Sequence, residues 1–508
     1  MNREKKLLLN STTSLFYQVA SLICGFILPR AILSTYGSGV NGLVSSITQF
    51  LGFISLCEMG VGAVVQSALY KPLADGDDTQ LSRIAKSSNR FFKRIAFILV
   101  AYTVLLMFVY PLMTEDFDYT YTLTLILVMS ISTFAQYYFG MTYRLILTAD
   151  QLGFVYYATH TVSLILNTVA CVVMINFGAS IHAVKLTTSL IFLLQPLSMA
   201  FIAKRRYRID KKVVLEGEPL DQKWNGITQH VATVVLGNTG VMVLTFFSTM
   251  KSISVYSVYY LVVNGVRQII VSLTSGTQAM FGNMLAKGEK ETLDRSYGMF
   301  EWIMHTLVTV IFTITAAIIV PFVMVYTNGV TDVNYSVPTF AILFTLAYAI
   351  YCIRLPYNTM VMAAGHYRQT QWSAIFEAIL NIVVSVVCVI LFGIVGVAIG
   401  MLCAMVYRTV YFAIYLSRNI INRKIKHFVK QIAADAITVL LSGACIFVFN
   451  GMYQLAELSY MSWIVLAIKV VATVLPIAFA VNVVMYRKMI TGTLKSLLNK
   501  KKKQISHS

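Results

Sequence analysis

The chain reads as an all-α polytopic membrane protein with fourteen transmembrane helices, in two parallel six-helix lobes followed by a two-helix appendix. Three observations lead there. Of 508 residues, 57% are apolar and 12% charged, and the mean hydropathy is +0.73; a soluble globular domain carries about a quarter charged residues. Apolar runs long enough to span a bilayer recur along the whole chain. The sequence also repeats itself at an offset near 212 residues.

A span needs about 20 mostly apolar residues. Fourteen runs qualify, at about 12–34, 40–65, 92–113, 120–146, 155–177, 182–203, 226–248, 254–276, 299–325, 337–362, 372–392, 394–416, 432–452 and 461–485. The opening Met1–Lys6 is basic, as at the start of a signal peptide. The apolar run behind it is too long for one, has no small-residue cleavage site and leads directly into the next span.

The repeat is clearest where Leu73-Ala-Asp-Gly-Asp-Asp-Thr-Gln-Leu-Ser-Arg83 returns as Leu285-Ala-Lys-Gly-Glu-Lys-Glu-Thr-Leu-Asp-Arg295. Ile165-Leu-Asn167 answers Ile379-Leu-Asn381, Phe177-Gly178 answers Phe392-Gly393, and Tyr143 and Ala149 answer Tyr357 and Ala363. Ordered matches with a slowly drifting offset point to a duplicated six-span unit. Six is even, so the copies run the same way through the membrane, related by an axis along its normal. The expected parts are an N-lobe (1–203), a linker (204–225), a C-lobe (226–416), a loop (417–431), two further spans (432–485) and a basic tail (486–508).

The net charge of +19 follows topology. Of forty Lys and Arg, thirty-three fall in the termini, at span edges or in loops on their side; Lys251 alone falls in an opposite loop, and Arg30, Lys185, Arg267, Arg354, Arg408 and Lys469 lie within spans. Positive loops face the cytoplasm, so both termini are expected there. The charge also suits anionic lipid and gives no reason to invoke nucleic acid. Trp224, Trp302 and Trp372 sit at cytoplasmic span ends, where interface anchors belong. All seven cysteines lie within spans without CxxC spacing, as packing residues do. No Walker-type phosphate loop occurs. The expectation is a secondary transporter without catalytic residues, metal or cofactor, driven by a coupling ion such as H⁺ or Na⁺.

Ionisable residues inside spans are costly and are functional candidates. Arg267 lies mid-span, with Tyr260 and Asn264 on the same helical face at i, i+4 and i+7; it either pairs with a buried carboxylate or faces water. Arg30 follows Pro29, and Arg354 precedes Pro356. Proline bends a helix and frees a carbonyl, and bent helices border transporter cavities. Glu58 sits between Cys57 and Met59-Gly60-Val-Gly62, where glycines allow a close helix approach; it either takes a proton or pairs with an arginine. Glu377 is the other carboxylate deep in a span. Lys185, Arg408 and Asp435 lie near span ends and can snorkel. Cations outnumber carboxylates within spans, which favours an anionic cargo, and the planar fork of Arg suits phosphate. A drug-cation exporter should show the reverse. Asp116-Phe-Asp118 resembles a glycosyltransferase DxD, but its loop is too short to serve an outer domain.

Tyr36-Gly-Ser-Gly39-Val-Asn-Gly42-Leu, Gln49-Phe-Leu-Gly52, Glu58-Met-Gly-Val-Gly62 and Leu69-Tyr-Lys-Pro72-Leu-Ala resemble the Wzx-type polysaccharide flippases, of the superfamily that also holds MATE exporters and lipid II flippases. The resemblance is densest over residues 10–95. It implies a V-shaped, MATE-like pair of lobes in a bacterial cytoplasmic membrane, alternating between inward- and outward-open forms. The implied cargo is an oligosaccharide on undecaprenyl diphosphate, with glycosyltransferases and a glycan polymerase as partners. The family's spans one, two, seven and eight border its cavity, which implies cavity positions for Arg30, Glu58 and Arg267. Arg354 is on span ten. A lipid II or teichoic-acid precursor flippase shares the same fold.

Overall fold

The structure, a computed structural model, describes residues 3–58, 60–114, 116–210, 212–214, 227–274, 276–421 and 423–505. Trp224 and Glu216–Pro219 lie outside the described residues, as do the side chains of residues 488–508 of the basic tail. Among the described residues eighteen α-helices follow one another: α1 (Arg3–Gly52), α2 (Val61–Asp75), α3 (Asp78–Val109), α4 (Tyr119–Ala135), α5 (Met141–Ala149), α6 (Gly153–Asn176), α7 (Ile181–Phe192), α8 (Leu194–Arg206), α9 (Ile227–Phe247), α10 (Met250–Leu273), α11 (Thr277–Ala286), α12 (Lys290–Tyr326), α13 (Pro338–Ile353), α14 (Leu355–Ala363), α15 (Tyr367–Phe392), α16 (Ile394–Asn419), α17 (Lys426–Val448) and α18 (Tyr460–Ile505). No strand occurs among the described residues.

Eleven helical stretches among the described residues are long and apolar enough to cross a membrane. The difference from fourteen has identifiable sources. Leu8–Glu58 runs as one 51-residue stretch where two spans were expected, because helix continues on both sides of Gly37, whose φ of 81° interrupts α1. α9 spans Ile227–Phe247, with Val234–Phe247 as its apolar part among the described residues. α10 carries Lys251, Tyr256, Tyr260, Asn264 and Arg267, and this polar stripe lowers its hydropathy.

Two compact units form. One comprises Met1–Leu261, Gly329–Asn334 and Ala374–Val397; the other comprises Val262–Asn328, Tyr335–Ser373 and Ala398–Ser508. In the first, Val61, Val65, Leu69, Leu81, Phe92, Leu99, Met141 and Ile146 join α2, α3 and α5 in one apolar core. In the second, Phe281, Tyr297, Tyr357, Val361, Phe412 and Phe428 join α11, α12, α14, α16 and α17. A further group sets Leu466, Val470 and Val474 of α18 against Val310, Ile314 and Ala317 of α12.

The repeat in the sequence is a repeat of turns. α2 ends on Gly76 (φ 71°), and Gly288 (φ 69°) follows the end of α11. The i→i−5 bond that closes each is Asp77 N to Pro72 O at 3.0 Å and Glu289 N to Met284 O at 3.1 Å. Only glycine adopts this left-handed backbone without strain, which is why it persists in both copies. The turn after α5 recurs after α14: Leu152 N donates to Leu147 O, and His366 N to Val361 O. Its left-handed residue is Gln151 (φ 59°) in the first copy and Gly365 (φ 74°) in the second. Gly178 (φ 74°) and Gly393 (φ 58°) form a third such pair, at the ends of α6 and α15.

The Tyr36–Gly42 motif is absorbed by packing in the first unit. Past the kink at Gly37, Ser38 donates to Asp332 from its backbone N (2.8 Å) and its hydroxyl (2.6 Å). Asn41 Nδ2 donates to Ser254 Oγ at 2.8 Å. At Gly42 a Cβ would stand 1.8 Å from the Met250 carbonyl oxygen, so the backbones of α1 and α10 meet only because that position has no side chain.

Candidate functional site

Two of the in-span arginines come together in the second unit. Arg354 occupies the break between α13 and α14. Pro356 has no N–H to continue the helical ladder, and Arg354 N to Ile350 O (3.1 Å) and Asn358 N to Arg354 O (3.0 Å) carry the chain across the joint. The Arg354 guanidinium lies over the Tyr351 ring at 4.8 Å. Arg267 of α10 lies 5.5 Å from the same ring. Asn264 Oδ1, one turn back on α10, accepts from Arg267 Nη2 at 2.8 Å and from Nε at 3.1 Å. One tyrosine ring thus draws two guanidinium groups by cation–π attraction, while Asn264 sets the plane of one of them.

Tyr351 was not singled out from the sequence. Its signal is the i, i+3 spacing to Arg354, which puts ring and guanidinium on one helical face. Tyr260 belongs to the part of α10 in the first unit, where it stacks on Tyr256 at 5.9 Å.

The other candidates are in the first unit. Arg30 lies within α1, which stays helical through Pro29; the interruption is at Gly37. Glu58 ends a 3-10 segment, Phe53–Glu58, that breaks the second expected span. The glycines after Glu58 act differently from the expected close helix approach. Gly60 (φ 71°) makes the left-handed turn into α2, and a Cβ on Gly62 would meet Glu58 Oε1 at 3.0 Å, so Gly62 makes room for the carboxylate. Glu377 is 2% exposed, within α15.

Asp435 does not snorkel. In the second unit its Oδ2 meets His305 Nδ1 at 2.6 Å and its Oδ1 accepts from Thr309 at 2.8 Å. His305 Nε2 meets the Tyr357 hydroxyl at 2.9 Å, which also reaches Gln431 Oε1 at 3.3 Å. Trp302, expected as an interface anchor, donates to Asn482 Oδ1 at 2.7 Å; Trp372 is 72% exposed. One turn from His305, the fully buried Glu301 takes both its bonds from Arg423 Nη2, at 2.7 and 2.6 Å. These bonds tie α12 to α14, α17 and α18. Glu301 escaped the sequence reading because its partner lies 122 residues away. No group of three or more His, Cys, Asp or Glu suited to a metal occurs among the described residues.

On the first unit's loop side, Asp150 accepts from Lys6 Nζ (2.9 Å), Tyr207 OH (2.6 Å) and Arg206 Nε (3.3 Å). Burial alone would push its carboxyl up. The hydrogen bonds and charge of Tyr207, Lys6 and Arg206 outweigh burial and hold it below the usual range.

No protein family and no curated protein sequence matches the chain; solved structures do. A lipid II flippase, MurJ, in an inward closed conformation aligns with TM-score 0.69 over 95% of this chain and 100% of its own, at 13% identity. An inward-facing multidrug resistance MATE family transporter of the MOP superfamily aligns with TM-score 0.59 over 78% and 95%, at 14% identity. The Vibrio cholerae MATE transporter in its bent form gives 0.53 over 82% and 98%, at 13% identity. The chain is a multi-pass membrane protein with the fold these transporters share.

Proposed function

We propose that the protein is a flippase that carries a lipid-diphosphate-linked oligosaccharide from the inner to the outer leaflet by alternating access. The arrangement of Arg267 and Arg354 around Tyr351 carries this reading. A charge at membrane depth costs about 2.5 kcal/mol or more to place there, and two guanidinium groups gathered on one ring suit an anionic cargo. A diphosphate offers acceptor oxygens to both forks, and sugar hydroxyls suit Asn264 and Tyr260. A diphosphate cannot cross hydrocarbon unaided, whereas its lipid tail can stay in the bilayer. The solved neighbours include a lipid II flippase, which fits a lipid-linked cargo. The motif resemblance over residues 10–95 favours an oligosaccharide on undecaprenyl diphosphate, delivered by glycosyltransferases and passed to a polymerase. In this reading residues 1–203 and 226–416 are the two lobes, both termini are cytoplasmic, and Arg30 borders the cavity.

The test is export of the glycan in cells. Arg267→Ala abolishes it while the protein still reaches the membrane. Arg267→Lys restores it only in part, because an ammonium lacks the fork. Normal export by the alanine variant, or failure only through misfolding, makes Arg267 a structural partner and overturns the reading. Drug efflux in place of glycan export would favour a MATE-type exporter. Coupling to H⁺ or Na⁺ is part of the proposal, with Glu58 as the titrating group and Glu377 as the second carboxylate. Glu58→Gln removes the dependence of vesicle transport on the ion gradient; full coupling in that variant would exclude Glu58.

A further inference from the structure

The first copy leaves open a surface that protein covers in the second. α3 and α12 leave equivalent turns at Gly76 and Gly288, so each residue of α3 answers the residue 212 further on in α12. Asn89, Arg90, Lys93, Arg94 and Phe97 therefore stand where Glu301, Trp302, His305, Thr306 and Thr309 stand. On α12 those positions meet α17 and α18 through the bonds to Asp435 and Asn482. On α3 they line a cavity of about 590 Å³ with Lys86, Lys204 and Asp210, a volume suited to a small-molecule site.

The lining has one chemical character. Among the described residues, Lys86, Arg90, Lys93, Arg94 and Lys204 line it with one carboxylate, Asp210, which already accepts from the Lys212 backbone N at 2.8 Å. Lys93 is held over the Tyr138 ring at 4.7 Å. Lys86 spends one of its three N–H donors on Val213 O at 2.6 Å. Arg90 and Arg94 are exposed, with their forks available. Beyond this basic end the same face of α3 turns apolar and is exposed among the described residues: Phe97 is 62% exposed, Leu105 58% and Phe108 57%. Cations at one end and bare apolar side chains along the rest match an amphiphile with an anionic head. In the second copy Val310, Ile314 and Ala317 of α12 pack on α18 instead.

We propose that this cavity binds the phosphate of an anionic phospholipid, with the headgroup on Arg90, Lys93 and Arg94 and the acyl chains along Phe97, Leu105 and Phe108. Lipid would fill in the first copy the place that α17 and α18 take in the second. The inference does not depend on the cargo. Arginine forks match phosphate bidentately, and juxtamembrane cations attract anionic lipid.

Native mass spectrometry of the detergent-solubilised full chain, titrated with phosphatidylglycerol or phosphatidylethanolamine, tests it. The expected result is preferential retention of phosphatidylglycerol. Arg90→Ala with Arg94→Ala lowers that affinity about twenty-five-fold, since each such cation contributes about fivefold. Arg295→Ala with Arg368→Ala, which removes two cations elsewhere, leaves it unchanged. Equal retention of the two lipids, no loss in the first variant, or equal loss in both variants overturns the site. Displacement of phosphatidylglycerol by millimolar glycerol phosphate would make it a site for soluble phosphate and overturn the lipid assignment. If the double variant does not fold, Phe97→Trp decides. Phosphatidylglycerol brominated in its chains should quench the added tryptophan emission more than brominated phosphatidylethanolamine at the same fraction, and equal quenching refutes the proposal.

Discussion

Helices α3 and α12 leave the same turn and part company within four helical turns. At the position where α3 carries Asn89, α12 carries Glu301, fully buried and held by Arg423. Where α3 has Lys93 beside an open cavity, α12 has His305, 2% exposed and bonded to Asp435 and Tyr357. The tyrosines that answer each other diverge too. Tyr143 meets the Lys204 ammonium at 5.6 Å, while Tyr357 is 1% exposed among hydrogen-bonded side chains. Duplication preserved the backbone. What stands beside each copy decided the chemistry: α17 and α18 pack on the second, and polar residues facing them must find partners inside.

The sharpest way to break this contrast is at Glu301. Removing one partner of a buried pair leaves the other charge uncompensated. Glu301→Ala should cost about 3–5 kcal/mol, seen as a large fall in thermal stability in detergent, whereas Asn89→Ala should stay within about 0.5 kcal/mol. Equal effects would mean that the two faces are not differently buried.

The turns sharpen the comparison from the other side. Nothing lies within 4 Å of a Cβ built on Gly76 or Gly288, so the cost of alanine there is backbone strain alone. Gly76→Ala and Gly288→Ala should each lose about 1–2 kcal/mol, and by similar amounts. A cost at only one of them would show that the two turns are not equivalent.

The smallest expected effect is at Asp150, whose turn is repeated while its partners are not; the counterpart is Ala364. Because the folded carboxyl titrates below its unfolded value of about 3.9, its contribution is complete above that pH and is lost as the pH falls through the folded value. Proteolysis near Lys6 should rise below about pH 4 in the native chain. In Asp150→Asn it should be raised at neutral pH and lack that acid step.

Much of the fold was legible in the chain. Hydropathy marks membrane helices because backbone groups in hydrocarbon must bond within their own segment. Gly76 and Gly288 marked equivalent turns because few residues accept their backbone conformation. Arg267 and Asn264 were legible as a pair, since i and i+3 on one helix must be neighbours. Tyr351 shared that kind of signal with Arg354, yet an aromatic residue in so apolar a span does not stand out.

By itself, then, the sequence determined an all-helical membrane protein with a duplicated turn pattern and costly charges within its spans. Those properties follow from local backbone chemistry and from the apolar solvent. Only the tertiary structure decided that Arg267 and Arg354 share one ring, that Asp435 bonds to His305, that Glu301 answers Arg423, and that α3 is left open where α12 is covered. Each depends on residues tens to hundreds of positions apart, and nothing in local periodicity encodes which distant side chain will arrive.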